Sequence, residues 1–258
     1  MRIHHEDIPD TTNYIESHRS IRLEDKTASF DNYLRHISLF VDVTPRTRIL
    51  EIGTGTGWFP VLCKLKGLSC KGLEISPQLI DHAKNLGAQN GVEPDIELGN
   101  IEDVAIPDEN YDVVVAMSVF EHVEDWRRGL EEVYRILKPG GILVFESTNK
   151  FSFTSGEYNF PLYGWLPDRW RYRLRIAKQG PDIMKLGIDF NQFRYPQLRR
   201  AFRRVGFSRI ADRLQITDLD HPEKTAWKRA LARVARRFPP LRWAILAFVP
   251  TTNFVCVK

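Results

Sequence analysis

Three glycines at alternate positions follow a short apolar run in the first quarter of the chain. The segment reads ILEIGTGTG, residues 49–57, and its glycines are Gly53, Gly55 and Gly57. Glycine suits a backbone that must turn tightly and let a ligand approach without a Cβ in the way. An apolar segment suited to a helix comes next, residues 58–65. This order of strand, glycine turn and helix predicts a nucleotide-type ligand site at the carboxyl end of a strand.

The glycine spacing excludes two phosphate-binding patterns. A dinucleotide fingerprint needs a third glycine where this chain has Trp58. A P-loop ends in Gly-Lys-Ser/Thr, whereas Gly57 is followed by Trp58 and Phe59. Glu51 precedes the loop, where its carboxylate would repel a pyrophosphate and attract a cation. The loop therefore has the glycine density of a cofactor site and neither of the phosphate patterns.

Acidic and amide side chains follow the next two strand-like segments. Glu74 closes the run 69–75, about 20 residues past the glycine loop, where an acid can accept hydrogen bonds from both ribose hydroxyls. The sequence Asn-Ile-Glu-Asp, residues 100–103, follows the run 95–98 and could pair with an adenine edge. An acid at a strand end is often only solvated, so each feature alone is a weak signal. Their order and spacing together indicate a site for an adenosine-bearing cofactor.

The chain resembles the class I S-adenosylmethionine-dependent methyltransferases, of the small-molecule type that includes the quinone-biosynthesis O- and C-methyltransferases. Four segments carry the likeness, in the family's order: ILEIGTGTG (49–57), LEIS (73–76), GNIEDVAIPDENYDVVVAMSVFEHVED (99–125) and RILKPGGILVFEST (135–148). The resemblance is good over roughly residues 30 to 150 and looser over 190 to 210. It implies that the cofactor is S-adenosyl-L-methionine.

The resemblance also implies which residues hold that cofactor. The residues expected at its methionine part are Glu51, Gly53, Thr54, Gly55 and Gly57. Those expected at the ribose and the adenine are Glu74, Ile75, Asn100, Ile101 and Glu102, and Ser118 is expected near the reactive end. Many relatives carry Asp where this chain has Asn100, but an amide can still accept from or donate to an adenine edge.

Strand-like and helix-like segments alternate along the chain. Predicted helices cover 25–43, 76–89, 124–137 and 195–205, and predicted strands cover 47–52, 69–75, 95–98, 111–117 and 142–146, with 207–216 and 252–257 as a closing antiparallel pair. Such alternation means a parallel sheet with helices on both faces. The sequence therefore predicts an α/β fold with a Rossmann-like, mostly parallel seven-stranded sheet. An aromatic-rich insertion would follow the fifth strand, and a basic helical insertion would precede the last.

The length of 258 residues suits one domain with an elaborated region. We expect a single methyltransferase domain over residues 1–258. Its parts are an N-terminal helical segment (1–45), a cofactor-binding core (46–148), an acceptor-lid insertion (149–190) and a C-terminal part (191–258) with a basic amphipathic insertion (220–250).

The insertion after the fifth strand concentrates aromatic residues. Eight of the 22 residues from Phe151 to Tyr172 are aromatic, and glycines and prolines among them exclude one regular helix. Aromatic side chains on an irregular loop suit a lid over a ligand. The alternative is that these rings cap the core. The candidate acceptor contacts are Tyr158, Tyr163, Trp165 and Trp170.

Charge is divided unevenly between the two parts of the chain. Residues 1–150 hold 16 Lys and Arg against 25 Asp and Glu, a balance of −9, whereas residues 151–258 hold 21 against 8, a balance of +13. The segment 224–238 can form a helix whose apolar stripe is Trp227, Leu231, Val234 and Phe238, with basic residues on its other faces. This pattern is typical of a helix at an anionic membrane surface. The alternative is a helix packed on the domain, with arginines that only solvate it.

The segment after the fourth strand supplies the candidate catalytic residues. His122 is the best candidate for a general base because the ordinary pKa of histidine lies near working pH, and Glu121 precedes it. In relatives such a Glu-His pair also shapes the cofactor pocket or holds a metal, although no metal site is predicted here. Met117 to Phe120 does not match the Asp/Asn-Pro-Pro-aromatic motif of amino-directed DNA methylases, and no Pro-Cys nucleophile occurs. DNA is therefore not an expected partner.

Three classes of function remain open at this point. The leading hypothesis is a methyltransferase acting on a small-molecule or lipid-linked acceptor, at oxygen. The alternatives are an RNA-directed methyltransferase, favoured by the basic second part, and a non-catalytic cofactor-binding protein. Three scattered cysteines and a first segment without a long apolar run favour the cytoplasm, with peripheral contact at a membrane surface as an open possibility. The oligomeric state is not predicted.

Overall fold

One seven-stranded sheet organises the protein. The computed structural model describes residues 15–16, 22–154, 161–179, 191–219 and 225–258. The strands are β1 Arg48–Ile52, β2 Ser69–Glu74, β3 Asp95–Leu98, β4 Tyr111–Met117, β5 Leu137–Thr148, β6 Arg209–Asp212 and β7 Thr251–Val257. They lie in the order β3-β2-β1-β4-β5-β7-β6. Strands β1 to β5 pair in parallel, and β7 runs antiparallel to both β5 and β6.

Helices cover both faces of this sheet. They are α1 Glu24–Ser38, α2 Trp58–Leu65, α3 Pro77–Gln89, α4 Trp126–Ile136, α5 Asp168–Gln179, α6 Tyr195–Val205, α7 Arg213–Ile216, α8 Ala226–Arg237 and α9 Pro239–Phe248. Helices α1 and α2 pack on one face through the cluster that contains Phe30 and Phe59. Helices α4, α6, α8 and α9 pack on the other face through the cluster that contains Phe145 and Phe202.

The centre of the sheet alternates between these two cores. Val113 and Val115 of β4 point toward the α1/α2 face, whereas Val114 and Ala116 point toward the α4/α6 face. All four are fully buried. A central parallel strand needs apolar residues at every position because helices cover both sides. The sheet therefore confirms the predicted α/β fold, and its carboxyl ends bring the glycine loop and the predicted site segments to one edge.

Most predicted element boundaries agree with the structure, and three differ. Helix α1 ends at Ser38 and not at Val43. Strand β5 is longer than predicted because it begins at Leu137, which pairs with Tyr111. The predicted strand 207–216 is wrong after Asp212, because that side chain and Gln215 form a capping box that starts the short helix α7.

Both predicted insertions are present, and they contact each other. The two N–H groups of the Asn149 side-chain amide, just after β5, are shared among three carbonyl oxygens at and just after the end of α9: Leu246 (3.1 Å), Ala247 (3.1 Å) and Val249 (3.0 Å). The ring of Phe248 stacks on Phe153, with centroids 5.4 Å apart, and on Trp165 at 6.2 Å. The aromatic insertion and the basic helical insertion therefore share one cluster. Within the described ranges, no helix combines the length and the apolar character needed to cross a bilayer.

Candidate cofactor and acceptor site

The glycine loop has a backbone that side chains would disrupt. Gly53, Gly55 and Gly57 have φ angles of 66°, 55° and 81°, in the left-handed region that favours glycine. A Cβ on Gly53 would lie 2.3 Å from Cγ2 of Val119, and a Cβ on Gly57 would lie 2.2 Å from Cβ of Ala83. The loop therefore packs directly against the segment after β4 and against α3. This contact places the carboxyl ends of β1 and β4 side by side.

Glu74 joins the glycine loop to the end of β2. Its Oε2 accepts from the Gly55 N–H at 2.7 Å, and its Oε1 accepts from the N–H groups of Ile75 at 2.9 Å and Ser76 at 3.1 Å. Burial raises the pKa of Glu74, and the three backbone donors oppose that shift. An ionised carboxylate has about four acceptor positions, so one remains free on Oε2. Glu74 can thus accept a ribose hydroxyl as it stands, and its contact with both hydroxyls stays a prediction.

Two buried polar atoms at the end of β1 lack partners. Oε2 of Glu51 and Oγ1 of Thr54 are inaccessible to solvent and form no hydrogen bond in the described part of the chain. Burial raises the pKa of Glu51 well above the ordinary value, and the nearby Cys63 and Glu74 add to the shift. The Thr54 hydroxyl, which lies near the carboxyl without hydrogen-bonding geometry, opposes the shift. A buried unpaired carboxyl is costly unless a ligand supplies a donor. The ammonium group of the methionine part of S-adenosylmethionine would supply one, so these residues fit that cofactor.

The predicted adenine segment forms a short 3-10 helix, residues 101–103. Oδ1 of Asn100 caps it by accepting from the Glu102 N–H at 3.0 Å. Ile101 and Glu102 are each 3% exposed, and Oε1 of Glu102 accepts from the Asp125 N–H at 3.3 Å. Oε2 of Glu102 has no partner among the described residues and remains available for an adenine amine. The side chain of Ile101 lies in the core on the α4/α6 face, so only its backbone could contact a cofactor.

The segment after β4 separates the two predicted catalytic residues. Ser118 is exposed at the end of β4 with a φ of 51°, a strained backbone for a residue with a side chain. Glu121 is fully buried; its carboxylate accepts from the Ser147 hydroxyl at 2.9 Å and from the Thr148 N–H at 3.3 Å. This placement favours a structural role for Glu121 over the predicted catalytic one, because its oxygens are used to hold the end of β5. His122 is partly exposed, and its role as a base stays a prediction.

A polar cluster that the sequence did not predict lies on the α1/α2 face of the same edge. The Tyr33 hydroxyl of α1 donates to Oε2 of Glu146 in β5 at 2.9 Å, and the Asn253 amide of β7 donates to the same oxygen. Nη1 of Arg213 in turn donates to Oδ1 of Asn253 at 3.2 Å. Burial and the neighbouring Glu146 raise the pKa of Tyr33, so the phenol stays protonated. We name Tyr33, Glu146, Asn253 and Arg213 the acceptor-side cluster.

The position of this cluster follows from the strand register. Glu146 pairs with Met117 of β4 on one side and with Asn253 on the other, so it lies at the carboxyl end of the sheet. The only sequence signal was that Glu146 lies near the carboxyl end of a strand, as Glu51 and Glu74 do. The contact with Tyr33 joins residues 113 positions apart and has no local signal.

The four predicted acceptor contacts have different surroundings. Tyr163 is 3% exposed, with the Arg171 guanidinium 5.7 Å from its ring, which favours a packing role. Trp165 donates its indole N–H to the Ser152 carbonyl at 3.0 Å and remains 43% exposed. Trp170 is also exposed, between arginines. Tyr158 lies outside the described residues. The two tryptophans thus remain candidates, and the lid role stays a prediction.

A mostly parallel sheet with a glycine loop after β1 and an acid at the tip of β2 defines a class I methyltransferase fold. Residues 50–145 match the model of the methyltransferase domain family. Residues 50–145 therefore carry a methyltransferase domain, and this match together with the fold supports a class I S-adenosylmethionine-dependent methyltransferase. This confirms the predicted family and cofactor.

Curated relatives match part of their length. The chain is 30% identical to a malonyl-[acyl-carrier protein] O-methyltransferase of Serratia marcescens, over 40% of this chain and 39% of the relative. It is 28% identical to a ubiquinone biosynthesis O-methyltransferase of Coxiella burnetii, over 64% of each. A norajmaline N-methyltransferase of Rauvolfia serpentina is 28% identical over 45% of this chain and 41% of the relative. The chain therefore spans less than two thirds of each of these relatives.

Solved structures share the fold over almost the whole chain. A putative sarcosine dimethylglycine methyltransferase from Galdieria sulphuraria superposes with a TM-score of 0.61 at 15% identity, covering 96% of this chain and 98% of its own. A SAM-dependent methyltransferase from Archaeoglobus fulgidus gives 0.57 at 17% identity, covering 95% and 98%. At such identities the likeness shows the fold alone. Among the residues that the structure describes, no group of three His, Cys, Asp or Glu side chains is arranged for a metal ion.

Proposed function

We propose that the protein methylates a hydroxyl oxygen of a small-molecule or lipid-linked acceptor. The observation that carries the proposal is the acceptor-side cluster, whose Glu146 lies on the same face of the sheet as Glu51, which precedes the glycine loop in β1. A carboxylate beside the donor site suits removal of a hydroxyl proton. Of the three relatives named above, two are O-methyltransferases and one is an N-methyltransferase, so the names support oxygen by a small margin.

When bound, S-adenosylmethionine supplies an electrophilic methyl group. The chain's own residues would then position the acceptor and take its proton. Oε2 of Glu146 accepts from Tyr33 and Asn253, which fixes the carboxylate, and its Oε1 accepts no hydrogen bond from the described residues. Oε1 is therefore the atom that would receive the hydroxyl proton as the oxygen attacks the methyl group. Because the pKa of Tyr33 is raised, its phenol would stay a donor during this step.

The test begins with the unknown acceptor. The protein is incubated with methyl-labelled S-adenosylmethionine and with soluble, membrane and RNA fractions of a lysate from the native host. We expect label in small molecules or lipids, and mass spectrometry of the product shows whether oxygen carries the methyl group. Label in RNA, lost steeply with added salt, would favour the RNA-directed alternative. Binding of S-adenosylhomocysteine without label in any fraction would favour a non-catalytic protein.

Glu146→Gln then tests the base. The amide keeps the shape of the carboxylate but takes up no proton, so kcat should fall about 10²- to 10⁴-fold. The affinity for S-adenosylhomocysteine should remain within about twofold of wild type, because Glu146 is assigned no cofactor contact. Glu131→Gln, at an exposed position, is the matched control and should leave both quantities unchanged. An unchanged kcat in Glu146→Gln would return the role of base to His122.

We further propose that helix α8 contacts an anionic membrane surface. Its four predicted stripe residues point to solvent: Trp227 is 63% exposed, Leu231 40%, Val234 54% and Phe238 55%. The helix is attached to the domain through Ala235, the one described residue of α8 that is buried, and through Arg236, which donates to two backbone carbonyl oxygens. A packed helix would hide its stripe, so this exposure supports the interfacial alternative. Basic residues lie beside the stripe: Lys228, Arg229, Arg233 and Arg237.

Flotation with vesicles tests this contact. Each basic residue near an anionic surface contributes on the order of 1 kcal/mol, so the protein should float with anionic vesicles and be released by salt. Replacing Arg229, Arg233 and Arg237 with Glu should abolish flotation. Flotation with neither neutral nor anionic vesicles would mean that the stripe has another occupant and that the acceptor need not be membrane-bound.

A further inference from the structure

Helices α6, α8 and α9 surround an open pocket of about 320 Å³ on the face of the sheet opposite to α1 and α2. This volume is at the lower end of the range for sites that bind small molecules. The pocket is lined by arginines from all three helices and by one tryptophan: Arg199, Arg200, Arg203, Arg236, Arg242 and Trp243. None of these residues belongs to the cofactor loop or to the acceptor-side cluster.

Little negative charge balances these arginines. Nε of Arg242 donates to the fully buried carboxylate of Asp212 at 2.9 Å, the one ion pair of the pocket within the described ranges. Arg236 donates to two carbonyl oxygens, those of Leu214 and Thr217, each at 2.7 Å. These carbonyls are dipoles and do not neutralise the guanidinium charge.

The three arginines of α6 are still less balanced. Arg199 donates to the Tyr195 hydroxyl at 3.1 Å, which is a neutral partner. Arg200 and Arg203 are exposed and have no hydrogen bond or ion pair with any residue that the structure describes. Four of the five guanidinium groups thus face one small space without a carboxylate, and they repel one another there.

We propose that this pocket binds a phosphate-bearing group. Guanidinium groups match the oxygens of phosphate in pairs, and several of them around one space can surround a dianion. Two of the arginines are already held in place, Arg242 by Asp212 and Arg236 by carbonyls, so part of the site is preorganised. The same group can come from a lipid headgroup or from a free phosphate ester. The membrane contact proposed above affects only which of these two sources supplies the phosphate group. Phosphate binding in this pocket does not depend on the proposed methyl transfer.

A solvated helix face and an RNA site both fit this geometry less well. Arginines that only solvate a helix point away from one another on a convex surface, whereas here three separate helices contribute to one concave lining. An RNA site needs an extended row of phosphate contacts and several stacking rings. The pocket is small, and its lining contains a single aromatic ring, that of Trp243.

Calorimetry with inorganic phosphate tests the proposal directly. At constant ionic strength, wild type should show saturable binding of one phosphate, and chloride should not replace it. Arg200→Glu/Arg203→Glu should weaken this binding at least tenfold. The two side chains have no partners to lose among the described residues, so the fold should survive, which circular dichroism checks. The control Arg46→Glu/Arg204→Glu changes the net charge equally at exposed positions outside the pocket and should stay within about twofold.

Vesicles then decide the source of the phosphate. Vesicles of phosphatidic acid in phosphatidylcholine present a phosphate monoester, and phosphatidylglycerol presents the same lipid context with a diester. If wild type prefers vesicles of phosphatidic acid to those of phosphatidylglycerol, and Arg200→Glu/Arg203→Glu loses this preference, the phosphate comes from a lipid headgroup. If wild type binds only soluble glycerol phosphate, and the same variant loses that binding, the phosphate comes from a free ester. Either result supports the proposal.

Three results would overturn it. One is the absence of saturable phosphate binding by wild type up to tens of millimolar. Another is equal weakening in the pocket variant and in the control, which would indicate a diffuse charge effect. The third is binding of an oligoribonucleotide, lost in the pocket variant, without any binding of phosphate itself. Cofactor binding by the pocket variant is measured in parallel, so failure here is distinguishable from failure of the proposed enzyme activity.

Discussion

The cofactor end of the sheet and the basic insertion are built from different kinds of interaction. At the cofactor end, backbone groups determine the geometry: three glycines have positive φ angles, and three N–H groups bind Glu74. The basic insertion instead presents side chains, with the stripe of α8 exposed and arginines around an open pocket. Binding at the cofactor end depends on the position of single atoms, whereas binding by the basic insertion depends on its total charge and its exposed apolar area. Single substitutions should therefore act strongly in the first region and weakly in the second.

Gly55→Val should give the largest effect and tests the backbone side of the comparison. A branched side chain at a φ of 55° is strained, and it would occupy the space that the cofactor needs. We expect the affinity for S-adenosylhomocysteine, measured by calorimetry, to fall at least 100-fold. Gly67→Val is the matched control, because Gly67 has a φ of 71° and a Cβ placed there would meet nothing within 4 Å. Both variants should lose similar stability, and only the first should lose the ligand.

Arg242→Ala should be the exception to weak effects in the basic insertion. Its guanidinium neutralises Asp212, which is fully buried, so removal leaves an unpaired charge in the core. We expect the free energy of unfolding to fall by about 3 kcal/mol, measured by denaturant titration. Arg204→Ala, at an exposed position without an ion pair among the described residues, should cost less than about 0.5 kcal/mol. Equal losses of stability in the two variants would mean that the ion pair with Asp212 contributes no more than an exposed arginine does.

The pH dependence of cofactor binding sharpens the role of Glu51. Its pKa is raised in the folded protein, so below that pKa the carboxyl is neutral. A cationic ligand group favours the ionised form, so binding should release a proton, and affinity should rise with pH by up to about tenfold per unit. Above the raised pKa the affinity should level off. Calorimetry in buffers of different ionisation enthalpy measures the number of protons released on binding. In Glu51→Gln no proton should be released from this site.

Trp227→Ala should give the smallest effect on stability. The ring is 63% exposed, so its removal should change the free energy of unfolding by less than about 0.5 kcal/mol while weakening flotation with anionic vesicles. Trp126→Ala is the contrasting control: this ring is 5% exposed and packs edge-on against Phe193, so its loss should cost about 3 to 5 kcal/mol. A large loss of stability in Trp227→Ala would show that the stripe is covered in solution.

The same contrast explains which features the sequence could predict. Backbone demands select particular residue types at fixed spacing, so Gly53 to Gly57, Glu74 and the Ser76 cap of α3 were found at their places. The stripe of α8 was found from its helical period, but sequence could not say whether the stripe is buried. That depends on Ala235 packing on the domain. The acceptor-side cluster was missed because Tyr33 meets Glu146 only after α1 packs on the sheet.

Glu121 illustrates a different limit. Its position after β4 predicted chemistry, and nothing nearby in the sequence showed that Ser147 and Thr148 would bind both of its oxygens. Those partners lie 26 and 27 residues away, at the end of the neighbouring strand. A residue that matches a family motif therefore predicts where the side chain lies better than it predicts the function of that side chain.

The amide of Asn149, with its three carbonyl acceptors at the end of α9, has a kinetic consequence. It connects that helix end to β5, a long strand in the interior of the sheet, whereas α8 is held by one buried alanine and by the hydrogen bonds of Arg236 to Leu214 and Thr217, outside the sheet. Local opening of a structure follows such cooperative units and not sequence order. In hydrogen–deuterium exchange, the amides at the end of α9 should therefore be protected together with the sheet, and those of α8 should exchange earlier. The two helices of one insertion would then belong to different opening units.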